Sequence, residues 1–107
     1  MNDDLGPLGD VWDAWTPATK TILKLPWEHF YSTMKHQCEE YYDHMAAGNS
    51  LGAAKECVDF MSIALNALRH LGYTREEIAT LILGRVTSRY IGQTAKIIKS
   101  YQKRFGI

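Results

Sequence analysis

Few of the features that mark a secreted, membrane-bound or nucleic-acid-binding chain occur in this sequence. It has only two cysteines, Cys38 and Cys57, and they form neither a CxxC pair nor a zinc-ligand pattern. Both fall among apolar neighbours on predicted helices, so they are expected as buried, reduced thiols. No apolar run approaches the roughly 20 residues that a membrane-spanning helix needs. The stretch from Met1 to Asp10 is acidic and lacks the basic and apolar regions of a signal peptide. A cytoplasmic location with no membrane partner is the expectation. Net charge is also lacking: 12 acidic and 12 basic residues give a formal charge of +0. Without a global positive field no nucleic-acid partner is expected, and any phosphate binding must rest on local placement of charge. No convincing strand, internal repeat or low-complexity segment is present.

What is there points to an all-α chain. A length of 107 residues fits one core, and 46% hydrophobic with 22% charged residues is ordinary globular composition. Residues 1–26 read as an N-terminal arm with a short helix. Up to residue 15 the arm is irregular, holding Gly6, Pro7 and Gly9 among acids, with Trp12 and Trp15 as docking side chains. Thr16-Pro17 then starts the short helix, with threonine as cap and proline at the first helical position, and Pro26 ends it near Leu25. Residues 27–107 read as a helical domain. Trp27, Phe30, Met34, Cys38, Tyr41 and Met45 recur at steps of three and four and predict one apolar stripe. Gly48-Asn49-Ser50 breaks that helix, and Asn49 or Ser50 caps the next, which runs from about Leu51 to Leu71. Its main stripe is Leu51, Ala54, Val58, Met61, Leu65 and Leu68, and Phe60, Ala64 and Leu71 widen it, so this helix is expected to be buried on more than one side. Gly72 ends it, and Thr74 to Glu77 forms a capping box for a third helix that carries Ile78, Leu81, Ile82 and Val86 inward. Gly92 interrupts, and Thr94 to Phe105 reads as a basic amphipathic helix. The expected fold is a four- to five-helix bundle built on a central antiparallel helical hairpin.

Four acids stand out within the hairpin. Glu40 and Asp43 lie three apart on its first helix, and Glu56 and Asp59 repeat the spacing on its second, so each pair shares a helix face. A tight turn centred at Asn49-Ser50 sets Glu40 level with Asp59 and Asp43 level with Glu56. The four carboxylates are therefore expected to converge. Like charges held close on a largely buried pair of helices repel, and a bound cation removes the conflict. All-oxygen donors select magnesium, with manganese as a substitute.

These residues carry a family resemblance. Glu40-Tyr41-Tyr42-Asp43, a spacer of twelve residues, then Glu56-Cys57-Val58-Asp59 resembles the ExxE–spacer–ExxD signature of the MazG-like all-α nucleotide pyrophosphohydrolases. Leu71-Gly72-Tyr73 and the basic third helix add to it, so that the resemblance spans about residues 27–105. Asp43 departs from the pattern, which usually has glutamate there. The resemblance implies a magnesium-dependent enzyme that cleaves a nucleoside triphosphate between its α and β phosphates to the monophosphate and pyrophosphate, in nucleotide-pool cleansing. It makes Glu40, Asp43, Glu56 and Asp59 the metal ligands and Glu40 a catalytic carboxylate, with Glu39 either an additional base or an exposed helix acid. A phosphoribosyl-ATP pyrophosphatase-like enzyme is a close alternative, and a non-catalytic helical interaction module is an alternative of another class.

Substrate contacts are expected from Arg85 and Arg89, one turn apart, whose guanidinium forks suit phosphate, and from Lys96 in the basic last helix. Asn66 continues the stripe of Glu56, Asp59 and Ile63 and is a base or sugar contact or a satisfied buried amide. His36, one turn before Glu40, is expected to hydrogen-bond a neighbour and is left outside the metal set. The wide apolar surface of the second long helix needs more cover than short flanking helices supply, so a homodimer or homotetramer is expected.

Overall fold

A computed structural model of the chain describes residues 4–107, so the first three residues of the expected arm lie outside the described part. Every regular element among the described residues is helical: α1 (Pro7–Trp15), a 3-10 turn (Thr16–Ala18), α2 (Thr19–Lys24), α3 (Glu28–Ala46), α4 (Ser50–His70), α5 (Arg75–Arg85), a π-helical segment (Val86–Tyr90) and α6 (Thr94–Phe105). The chain divides into two compact units, one ending at Arg75 and the other running from Glu76 to Ile107.

In the first unit the arm is more ordered than its composition suggested. Residues 7–15 form a helix, not an irregular stretch, because Gly6 enters at φ 56 and Pro7 occupies the first turn, where its missing N–H costs nothing. Thr16 does not cap α2. Its hydroxyl bonds back to the Trp12 carbonyl at 3.1 Å, and Thr19 bonds back to Thr16 at 2.7 Å, which continues α1 into α2 through the 3-10 turn. Leu25 turns extended, with ψ 147, as a residue before proline must.

α3 and α4 are joined by three residues and pack against each other more extensively than any other pair of elements. Gly48, at φ 72, closes α3, and Asn49 Oδ1 accepts from Gly52 N at 2.9 Å to cap α4. α1 and α2 pack on α4, and Arg69 is the tie. Its side chain is 5% exposed. The guanidinium donates to the Trp12 carbonyl at 2.6 Å and to the Thr19 and Thr16 hydroxyls at 2.7 and 3.3 Å, and it lies 3.6 Å over the Trp12 ring. Burial pushes its pKa down from the usual arginine value, while the charge of Asp13 opposes that shift. One turn of contact further, His70 Nε2 donates to the Leu25 carbonyl at 2.7 Å and its ring packs 5.0 Å from Phe30.

Which faces are covered differs from the expectation. On α3 the buried residues are Phe30 and Gln37, while Trp27, Tyr41, Met45 and Cys38 are exposed. The face turned to α4 is Phe30, Thr33, Gln37, Glu40 and His44, rotated from the predicted apolar stripe by about a quarter turn at ~100° per residue. Cys38 and Cys57 are accordingly exposed, not buried; with Tyr41 and Phe60 they line a shallow groove of about 200 Å³ on one side of the helix pair. On α4 the main stripe is covered only at its C-terminal end, where Leu65 is buried; Leu51, Val58 and Met61 remain 67%, 53% and 49% exposed. α1 and α2 are short and reach only the C-terminal part of α4, which leaves the rest of the stripe bare.

In the second unit, Ile78 is fully buried whereas Leu81 and Ile82 are exposed. α5 gives way to the π-helical segment after Arg85, Gly92 interrupts at φ 74, and α6 follows over the predicted span.

The Arg69 network yields a prediction. Arg69→Ala removes three hydrogen bonds between α4 and the N-terminal helices together with the cation–π contact, at an expected cost of about 2–4 kcal/mol. Arg69→Lys, lacking the fork, recovers less than half of that. Urea denaturation followed by circular dichroism measures both, and an Arg69→Ala midpoint equal to wild type contradicts the role assigned to this residue.

Candidate functional site

The acids of the central helix pair do not all converge. Glu40 and Glu56 do, and His44 joins them: one ligand atom from each lies within 4.8 Å of the others. Asp43 and Asp59 are exposed and are not part of this group. The reason is the rotation of α3. With Gln37, Glu40 and His44 turned inward, Asp43 is carried toward the open side of the helix, and Asp59 lies off the edge of the α4 face that meets α3. Glu39 is exposed, on the far side of α3 by helical phase.

Glu56 is the anchored member. Its side chain is 16% exposed, its Oε2 accepts from Gln37 Nε2, and its Oε1 faces His44 Nε2 at 3.5 Å. Glu40 is held more loosely, with His36 Nε2 at 3.3 Å one turn earlier on the same helix. His36 thus partners a neighbouring acid. These placements follow from sequence spacing: Gln37, Glu40 and His44 stand at steps of three and four and share one face of α3.

The tautomer of His44 is set by its surroundings. Asn49 Oδ1 is committed to the Gly52 N–H, so Asn49 Nδ2 is the edge turned toward His44 Nδ1, at 3.3 Å. Nδ1 then accepts, and the proton of the neutral ring sits on Nε2, the atom that faces Glu56. In this state His44 supports the Glu56 carboxylate and offers no free lone pair. The ion-binding donors that remain are carboxylate oxygens, a hard set. Two glutamates whose oxygens lie within 4.8 Å of one another fit a divalent ion with metal–oxygen bonds of about 2.0–2.6 Å.

Gly52 makes this arrangement possible. A Cβ there would stand 2.5 Å from His44 Nδ1 and 2.6 Å from Asn49 Nδ2, so only glycine lets the imidazole lie against the first turn of α4.

The remaining predicted contacts are distributed between the units. Asn66 is buried in the first unit, 7% exposed, and its Oδ1 is shut off from water without a hydrogen-bond partner. A sealed acceptor of this kind costs about 1–3 kcal/mol. It lines a cavity of about 470 Å³. Arg85, Arg89 and Lys96 belong to the second unit. Arg85 and Arg89 line a polar pocket of about 420 Å³ together with Gln93, and Lys96 is exposed on α6.

Sequence reasoning passed over Gln37, His44 and Arg69. Gln37 and His44 had a signal, the polar series running through Glu40, but a more regular apolar series on the same helix obscured it. Arg69 had none, since its partners lie fifty or more positions away.

The chain matches no family model, no curated protein and no solved structure.

The close approach at Gly52 predicts a contrast between two glycines. Gly52→Ala should destabilise by about 1–3 kcal/mol through the clash with His44 and Asn49. Gly84→Ala, in α5 with nothing near its added Cβ, should stabilise by about 0.5–1 kcal/mol through helix propensity. Thermal denaturation of the two variants tests the pair, and stabilisation by both contradicts the packing of His44 on Gly52.

Proposed function

We propose that this chain is a magnesium-dependent nucleoside triphosphate pyrophosphohydrolase of the MazG-like kind, converting an NTP or dNTP to the monophosphate and pyrophosphate. The observation that carries the reading is the meeting of Glu40 and Glu56, one acid from each of the two helical pairs, on facing helices. The motif that contains them supplies the resemblance; their proximity supplies a reason, independent of it, for a divalent ion.

Glu40 and Glu56 would hold the ion. In an antiparallel pair of helices, Asp43 and Asp59 fall by helical phase on the same flank as Glu40, away from Cys38 and Cys57. They are the exposed acids nearest to completing an oxygen shell around a substrate-bound ion. Magnesium, when bound, would neutralise the triphosphate and polarise the attacked phosphorus. The part left to the protein is to fix Glu56 through Gln37 and His44, and to present Glu40 as the acceptor for a proton of the attacking water. The His36 imidazole, 3.3 Å from Glu40, is placed to receive that proton in turn. Glu39 has no such contact, which favours Glu40 over it as the base. For Arg85 and Arg89 the proposed role is phosphate binding, on the chemistry of the guanidinium fork.

The bare stripe of Leu51, Val58 and Met61 on α4 supports a homo-oligomer, in which a second copy covers what α1 and α2 leave open. Light scattering should give the mass of a dimer or tetramer, and Val58→Asp should reduce it to that of a monomer. A monomeric wild type overturns this part of the proposal.

The test of the activity is pyrophosphate release from a panel of NTPs and dNTPs with magnesium. Glu56→Gln and Glu40→Gln should each lose a hundredfold or more of the rate, and Asp59→Asn a smaller factor. Magnesium at millimolar concentration should raise the melting temperature of wild type through ligand linkage and leave that of the Glu40→Gln/Glu56→Gln double variant unmoved. Absence of release from every triphosphate, or full activity in both glutamine variants, defeats the proposal.

A further inference from the structure

We propose that the second unit binds single-stranded nucleic acid, with the phosphates along α6 from the pocket of Arg85 and Arg89 and a base stacked on Tyr90. This goes beyond the hydrolase reading and does not rest on it.

The zero net charge, on which the expectation of no nucleic-acid partner rested, is the sum of two opposed parts. All 12 acids of the chain precede Ile78. From Ile78 to Ile107 there is no acid, and Arg85, Arg89, Lys96, Lys99, Lys103 and Arg104 all lie in that stretch. None of these cations forms an ion pair among the described residues. Clustered cations without a carboxylate to neutralise them create a local positive field, the electrostatic footprint of a polyanion site.

The second unit gives that charge a shape. Arg85 and Arg89 stand four apart across the π-helical segment, a kind of turn that recurs at functional sites, and line one pocket of about 420 Å³ with Thr87, Ser88 and Gln93. The Thr87 and Ser88 hydroxyls donate to the Leu83 and Gly84 carbonyls at 2.8 and 2.7 Å. The donors left for an anion are therefore the two guanidinium forks and the amide of Gln93, which makes no side-chain cap to α6. Gln93 also begins a stripe. At ~100° per residue, Gln93, Lys96, Ser100, Lys103 and Arg104 fall on one side of α6, and the exposed Ile98, Tyr101 and Phe105 fall on the other. The stripe runs for about 16 Å at ~1.5 Å per residue. A lone phosphate would meet the pocket and leave the row of cations unmatched; a chain of phosphates meets both.

The same geometry chooses among polyanions. A bilayer that took up Ile98, Tyr101 and Phe105 would have the stripe turned away from its headgroups. A nucleic acid needs the stripe alone. Tyr90 then selects a single strand. Its side chain is 44% exposed, and the Arg85 guanidinium carbon stands 6.0 Å from its ring centroid. An unpaired base can stack on that ring while its phosphate meets the arginine, whereas the bases of a duplex are already stacked on one another.

The experiment titrates the full chain, in EDTA, into a fluorescent oligothymidylate of about twelve nucleotides and follows anisotropy. Half-saturation is expected at or below about 100 μM at low salt. The slope of log affinity against log salt should be about −2 to −3.5, as for three to five phosphates on a single strand. Lys96→Gln/Lys103→Gln should lose tenfold or more in affinity, with the slope reduced by about 1.4 and the melting temperature unchanged. Lys20→Gln/Lys35→Gln, the same charge change on exposed lysines of the first unit, should bind as wild type does. An abasic oligomer of equal length should bind wild type at least fivefold more weakly, and Tyr90→Leu should remove that difference. No binding at about millimolar chain overturns the proposal, as does full affinity in Lys96→Gln/Lys103→Gln or for the abasic oligomer. Binding to phosphatidylserine vesicles but not to the oligomer also overturns it, in favour of a membrane surface. The two readings fail separately. A chain that binds the oligomer and releases no pyrophosphate keeps this surface and loses the hydrolase, and the opposite result does the reverse.

Discussion

One guanidinium, buried by α1, α2 and α4, holds the first unit together. Arg69 spends its donors on a backbone carbonyl and two hydroxyls, with an indole under its plane. Removing a charge from water is costly, and hydrogen-bond partners are needed to offset it. The N-terminal helices pair both terminal nitrogens and leave Nε buried without a partner; they do so at one position only, because the carbonyl at Trp12 and the hydroxyls at Thr16 and Thr19 come from three successive turns. The docking that results places Trp15 and Ile22 along the partly open pocket beside Asn66. Without Arg69 the bond from His70 to the Leu25 carbonyl would remain as a polar tie between these helices and α4.

A second polar contact governs the helix pair. Gln37 and His44 both address Glu56 from α3, and their separation of seven residues, close to two turns, brackets it along the axis. Helices that meet through apolar residues alone can slide by a turn with modest loss. A half-buried carboxylate held from above and below cannot. The polar interface that brings Glu40 and Glu56 together thus also fixes the register of the scaffold. It does so at the expense of apolar burial, since the larger apolar side chains of α3 are turned to the outside.

That exchange explains where the sequence was legible. Element boundaries were, because turn chemistry is local: Pro26, Gly48-Asn49, Gly72 and Gly92 act within a few residues of themselves, and the helices they bound lie close to where their spacing predicts. The all-helical class followed from periodicity for the same reason. Rotation about each helix axis was not legible. The apolar series of α3 is regular and points to a face that the fold leaves exposed, because a competing series of Gln37, Glu40 and His44 gains more from meeting Glu56. Cys38 and Cys57 followed the wrong face with it.

For the site the division is similar. The sequence by itself determined that acids recur at helical spacing on two helices joined by a tight turn, so that carboxylates from both would stand near one another. That much depends only on 3.6 residues per turn and a short connection. Tertiary structure decided which of the acids meet. It selected Glu40 and Glu56 over Asp43 and Asp59, added His44 against Gly52, and buried Asn66 beside a partly open pocket that no local pattern announces. The physical reason is that side-chain phase between helices is set by desolvation and hydrogen bonding summed over the whole interface, and its decisive partners lie 19 to 57 positions apart in the chain.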